Sequence, residues 1–390
     1  MRPPVSPAST HRDGEPRVAG AAPQRIFALD ALRGLAALAV VMSHCLGAVD
    51  ITAVQEKALR RSVLAPIFHG NGSVDLFFVL SGFVLTRSLI RRRGGAATLA
   101  YCLRRVLRIH PPYVLAVLLA WVVSLSISDP GGSHGVSRWL RYYINVHVGP
   151  SAVLESLWFP GIAHNLLPVG WTLYVEMIVS LTLPAMAWAM RRSHWSLIVA
   201  AAACLPYLGL TSQLCLHTVA FSAGAAAFLE RERWHAPLAG ARRVTRTGFL
   251  LIAFVVFLLP LFSPLDDWHP LHVLGYTLGS LGIIACVESS NSLRRVLSFG
   301  PLLRLGRNSY SLYLLHFPLL VLLASTAPRP DSPMAGGIAL ALMVVAATVV
   351  AAEISYLVVE RTSIAYGERV SAWLIRASGA AAAFPAGKAR

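Results

Sequence analysis

Two ionisable residues, Arg33 and His44, interrupt the first long apolar run of the chain. Eleven residues at about 100° each make roughly three turns of helix, so both side chains point the same way, about 16 Å apart along the axis. An ionisable group placed in hydrocarbon is costly and is by default a functional candidate. A neutral imidazole can take a proton from a hydroxyl near physiological pH, as a general base for acyl transfer must. A guanidinium binds phosphate oxygens in a two-pronged fashion and stays charged in a dry site. Arg104, Arg105 and Arg108, just before Pro111-Pro112, are expected to join Arg33 in a cationic cluster suited to phosphate. As lone features they read equally well as anchors at a membrane surface.

Four further polar positions fall in apolar surroundings. Glu176 lies at a depth expected to match that of His44, where a carboxylate could orient the imidazole, as acids do in catalytic triads. Its alternative is a carboxylate bonded to a neighbouring helix. His316 could line the same cavity or simply pack. Ser81 and the adjacent Gly82 are small enough to admit a close helix or a narrow substrate arm. Asp75 could face the acceptor or cap its helix.

The elements that must position these groups are membrane helices. The 390 residues are 56% hydrophobic and only 13% charged, too apolar for an ordinary soluble domain. Apolar stretches of spanning length fall at about 31–49, 72–90, 111–128, 169–190, 195–211, 213–229, 247–263, 271–288, 306–326 and 335–357. The expected fold is an all-α polytopic bundle of about ten transmembrane helices, with both termini on one side.

With those termini cytoplasmic, 27 of the 34 Lys and Arg residues fall inside, as the positive-inside rule requires. The net charge of +16 is thereby explained by topology and anionic lipid, and nucleic acid is not an expected partner. Residues 1–25, rich in Pro, Ala and Arg without an apolar core, read as a disordered cytoplasmic tail, and 361–390 as a C-terminal one. The longest outer loop, about 129–168, carries Trp139, Tyr142, Tyr143, Trp158 and Phe159, suiting interfacial packing or a lid. Five cysteines without a Cys-X-X-Cys pair argue against a disulfide framework or a zinc site. The polar motifs of the two halves do not correspond, which weighs against an inverted-repeat carrier. A transporter or flippase of saccharides or lipids, with Arg33, His44 and Glu176 along its pathway, is the rival reading.

Five segments in order carry a resemblance: Phe27 through His44, Asp-Leu-Phe-Phe-Val-Leu-Ser-Gly-Phe at 75–83, Arg-Arg-Val-Leu-Arg-Ile-His-Pro-Pro-Tyr at 104–113, Gly-Trp-Thr-Leu-Tyr-Val-Glu at 170–176, and Ser-Tyr-Ser-Leu-Tyr-Leu-Leu-His-Phe-Pro at 309–318. Together they resemble the acyltransferase 3 family of membrane O-acyltransferases. The resemblance implies a membrane domain over about 26–360 in the cytoplasmic (inner) membrane. It also implies transfer of an acyl group, usually acetyl, from cytoplasmic acyl-CoA to a hydroxyl of a saccharide, lipid-linked glycan or secondary metabolite. Acyl-CoA is then a co-substrate, and no permanently bound cofactor or metal is expected. The family's Arg-X10-His motif maps onto Arg33 and His44, with His44 catalytic, and its Arg-rich motif onto Arg104, Arg105 and Arg108 at the donor. Where relatives carry two consecutive acids, this chain has Glu176 followed by Met177.

Overall fold

A computed structural model describes residues 27–90, 94–127, 135–158, 165–190, 213–265, 269–326 and 332–378. Its helices in order are α1 (Phe27–Ala48), α2 (Ala53–Arg60), α3 (Gly70–Ile90), α4 (Gly95–Ser126), α5 (Arg138–Ile144), α6 (Pro150–Trp158), α7 (Gly170–Met190) and α8 (Gln213–Leu229). They continue with α9 (Arg231–Gly240), α10 (Arg243–Leu258), α11 (Pro270–Ser289), α12 (Asn291–Leu297), α13 (Gly300–Arg307), α14 (Ser309–Thr326), α15 (Pro333–Ser355) and α16 (Arg361–Ala377). Among the described residues the only extended pairing is a single bridge, Val49 with Val136. The chain is an all-α polytopic bundle.

Among the described residues eight helical stretches are long and apolar enough to cross a bilayer: α1, α3, α4, α7, α10 with its 3-10 extension to Phe262, α11, α14, and α15 running on into α16. The expected span at 213–229 is present as the 17-residue α8, shorter than these eight. The one at 195–211 lies outside the described residues, as does the tail at 1–25. Helices α10 and α15 expose Leu251, Ile252, Val255, Leu342 and Val350, apolar faces of the kind that lipid covers.

Two sequence expectations give way here. The arginines at 104–108 do not end a loop before a helix that starts at the prolines. Instead α4 runs unbroken through Pro111 and Pro112. A proline removes a backbone donor and crowds the preceding turn, yet such a helix persists where neighbours bond the affected backbone. The carbonyls left without their usual donors are those of Leu107 and Arg108; the next one, of Ile109, accepts from the Tyr310 hydroxyl at 2.7 Å, which ties this turn to α14. Residues 361–377, read as part of a tail, form α16 along α4, with the Ser371 hydroxyl donating to the Ala100 carbonyl at 3.0 Å.

Helix α1 runs through the middle of the bundle, against α3, α13, α14 and α15. Its crossing with α13 is a backbone contact. A Cβ on Gly34 would overlap the Gly306 amide, and one on Gly306 would overlap the Asp30 carbonyl. Helices α3 and α8 meet in the same way, with Gly82 against the Phe221 carbonyl and Gly224 against that of Val79. Association in a membrane rests on close packing at small residues, because lipid is as apolar as the helix faces. These glycines thus fix where the polar side chains of α1 and α3 lie.

Candidate active site

His44 occupies the last turns of α1, beneath α5. The covering helix is tied down by its lead-in: the Ser137 amide donates to the Ala48 carbonyl at 2.9 Å and the Asp50 amide to the Gly135 carbonyl at 3.1 Å. The turn between uses Gly135 at φ +79°, which costs glycine little. The Ser137 side chain then caps α5 by accepting from the Leu140 amide at 3.2 Å. Trp139, in the first turn of α5, therefore lies near-parallel to His44, ring centres 5.6 Å apart and planes 14° apart. Phe317 meets the same imidazole edge-on at 6.1 Å.

The decisive polar partner of His44 is His316 on α14. His44 Nδ1 and His316 Nε2 are 2.8 Å apart. Ring centres at 5.0 Å and planes 11° apart describe two imidazoles bonded edge to edge. The far nitrogen of His316, Nδ1, is 2.6 Å from the Tyr313 carbonyl. A carbonyl only accepts, so His316 carries its proton on Nδ1 and presents a lone pair on Nε2. His44 must then donate from Nδ1, which leaves its own proton-accepting lone pair on Nε2. Among the described residues nothing bonds that nitrogen.

A second cluster lies further along α1. Arg33 donates from Nη2 to the Ser81 hydroxyl at 3.0 Å. Both line a cavity shared with Arg108, Glu176, Tyr310 and Tyr313. Its polar lining belongs to four helices, α1, α3, α4 and α7, with α14 supplying the tyrosines. Tyr313 joins the two clusters: its ring faces this cavity, its hydroxyl bonds Thr172 at 2.9 Å, and its carbonyl holds His316.

Glu176 is the main correction. The structure does not bring it to His44. Its carboxylate accepts from Arg105 Nη2 at 2.6 Å, with the Arg105 side chain only 9% exposed. A buried guanidinium without a counter-charge is strongly destabilising, whereas a neutral imidazole offers a carboxylate far less. Arg105 is thereby engaged from behind the cavity, and Arg108 reaches into it, with buried Glu360 at 4.0 Å from its far side. Arg104 lies on the α4 flank facing Gly367 of α16 and is not among the cavity-lining residues.

Asp75 neither caps α3 nor faces the outside. It is fully buried and 2.8 Å from His217 Nδ1 on α8, with Phe78 and Trp171 against that imidazole. Ser81 does more than admit a neighbour, since it holds Arg33 in place. Sequence reasoning passed over His217, although an imidazole inside an apolar run meets the same criterion that picked out His44. It also passed over the contact of Trp139 with His44, because nothing local to residues 129–168 says which part of that loop folds back over α1. Among the described residues no cluster of His, Cys, Asp and Glu could hold a metal, and Cys45, Cys102, Cys215 and Cys286 are free.

Apolar spans packed round a buried polar site define a multi-pass membrane protein. Residues 26–357 match the acyltransferase 3 family, described as an acyltransferase domain, and the chain belongs to that family. It is 30% identical over 209 residues to acyltransferase MdmB of Streptomyces mycarofaciens, covering 49% of each chain. It is 29% identical over 187 residues to Nodulation protein 10 of Rhizobium leguminosarum bv. viciae, covering 45% of this chain and 48% of that one. Each match thus spans about half the relative's length. Protein 2 in the picA locus of Rhizobium radiobacter is 35% identical over 99 residues, 25% of this chain and 44% of its own.

Proposed function

We propose that this protein is a membrane O-acyltransferase that moves an acyl group, in the simplest case acetyl, from acyl-CoA to a hydroxyl of a saccharide-type acceptor, with His44 as the general base. The observation that carries this reading is the ordered chain Tyr313 carbonyl, His316, His44, which leaves a lone pair on His44 Nε2. A base must offer a lone pair, held in one orientation, to the proton it removes.

The acceptor hydroxyl loses its proton to His44 Nε2 as its oxygen attacks the thioester carbonyl. Collapse of the tetrahedral intermediate breaks the carbon–sulfur bond, and the leaving thiolate takes the proton back from the imidazolium. Positive charge on His44 is relieved through Nδ1, which already donates to His316 Nε2. The thioester arrives along the cavity between Arg33 and Tyr313, with Arg33 and Arg108 as the guanidiniums that meet donor phosphates. Arg105 acts through Glu176, holding that carboxylate to one side of the donor path. The basic end of the bundle is cytoplasmic in this reading, both termini lie there, and His44 opens toward the opposite face.

The test is transfer of label from radiolabelled acetyl-CoA to an envelope extract by protein in nanodiscs. His44→Ala is expected to abolish transfer while donor binding and the melting temperature stay as in the wild type. Near-normal turnover in that variant would remove His44 from the mechanism.

A further inference from the structure

A second polar pocket opens at the His44 end of the bundle, between α2 and the turn that joins α10 to α11. Lys57, Arg60 and Arg61 line it together with Asn71, Ser263 and Tyr276. Among the described residues of the lining the one carboxylate is Glu56, which accepts from Arg60 Nε at 2.9 Å. Among those described residues three basic side chains thus face one carboxylate.

The guanidiniums are held in place before any ligand arrives. Arg60 also donates from Nη1 to the Phe68 carbonyl at 3.2 Å. Arg61 donates from Nε to the Leu261 carbonyl at 3.3 Å and sits 5.9 Å from the centre of the Phe262 ring. One arginine is thereby anchored on the α3 side and the other on the α10 side, with the opening between them. Anchored forks lose little entropy on binding an anion.

The surroundings say what carries that anion. Val63, two residues after Arg61, Leu259 and Phe262, which flank the lining residues Pro260 and Leu261, and Leu271 in the first turn of α11 are all more than half exposed. Cations beside uncovered apolar side chains at a helix end match a lipid phosphate above its own chains. On the orientation proposed above, Lys57, Arg60 and Arg61 are three of only six basic residues outside the cytoplasmic end. Outward loops normally shed such residues, so three within five positions need a local reason. The pocket also adjoins the catalytic helix. Arg60 Nη1 lies 3.4 Å from the hydroxyl of Ser43, the residue before His44, and Gly70 in the pocket wall abuts Ser43.

We propose that the pocket binds the phosphate of a membrane lipid at this face, placing a lipid-borne acceptor beside His44. The second half rests on the acyltransferase reading; the binding itself does not.

The full-length protein, purified in neutral detergent, would be titrated with a labelled polyprenyl phosphate, phosphatidylglycerol, phosphatidylcholine and inorganic phosphate. Retention of one or both anionic lipids, with phosphatidylcholine released, is expected. Lys57→Gln with Arg61→Gln should weaken that retention about 30-fold, from the loss of two surface cations. Arg294→Gln with Arg295→Gln removes the same charge from the other end of the bundle and should leave retention unchanged. Arg60→Gln should act in the same direction as the first pair, and an unchanged melting temperature in either set separates binding from misfolding. Equal retention in all variants, or saturation by inorganic phosphate with no lipid held, would overturn the proposal. His44→Ala should bind lipid as the wild type does. Lipid binding without acyl transfer would therefore sink only the acyltransferase reading, and transfer with no lipid held would sink only this one.

Discussion

At the scale of single residues, the site turns on where two protons sit. The His316 Nδ1 proton is fixed by the Tyr313 carbonyl, and this fixes the next proton on His44 Nδ1. What His316 contributes is an acceptor at Nε2, so His316→Phe, which keeps a flat ring without one, should lower kcat by about 100-fold or more. The KM for the donor should hardly move, because the cavity proposed for the donor is lined by other residues. His316→Gln can accept from His44 Nδ1 through its amide oxygen and should recover activity to within about tenfold. A packing residue would show no such split, and equal loss in both variants would reduce His316 to packing. Of this arrangement, the alignment of Arg33 with His44 was legible, since helical periodicity alone sets it. The partner of His44 was not. Glu176 and His316 both sit at plausible depth, and only the fold reveals that buried Arg105 claims the carboxylate.

At the scale of elements, the glycines carry the geometry. The Arg33 guanidinium reaches Ser81 because α1 lies directly on the backbone of α13 through Gly34 and Gly306, and α3 on that of α8 through Gly82 and Gly224. A methyl group at Gly306 has only the backbone of Asp30 and Ala31 to push against, and backbone yields poorly. Gly306→Ala should therefore destabilise the protein by about 1–3 kcal/mol, read as a lower melting temperature in detergent. Gly300→Ala, on the same short helix with nothing within 4 Å of a new Cβ, should leave it unchanged. If both variants melt like the wild type, the α1–α13 contact is looser than described. Hydropathy located the spanning segments well, because length and apolarity are local properties. It misread the start of α4, because a Pro-Pro pair that would ordinarily end a helix is carried inside one here, and whether the packed bundle tolerates it is not a local property of the sequence.

At the scale of the whole molecule, the two ends of the bundle differ in kind. One end gathers Arg33, Arg108 and the basic short helices α12 and α13, while the other holds the His44–His316 pair under the aromatic cover of α5. Arg33 and His44 are about 16 Å apart along α1, a distance a donor with an extended arm can bridge without either end of the protein moving. That separation gives the proposed reaction a sidedness. In the proposed mechanism donor phosphates would meet the guanidiniums at one membrane face, and the thioester would approach the base from the cavity lined by Arg33 and Tyr313. In the proposed orientation, which follows the positive-inside rule, the guanidinium end faces the cytoplasm. Sealed inside-out vesicles supplied with external acetyl-CoA should thus support transfer, and sealed right-side-out vesicles should do so only once acetyl-CoA is loaded into the lumen or the membrane is permeabilised. Equal activity from both faces in intact vesicles would mean that the donor does not enter past Arg33. In that case the path would run through the cover of α5 instead, and Trp139→Ala, which uncovers His44, would speed donor entry rather than leave it unchanged.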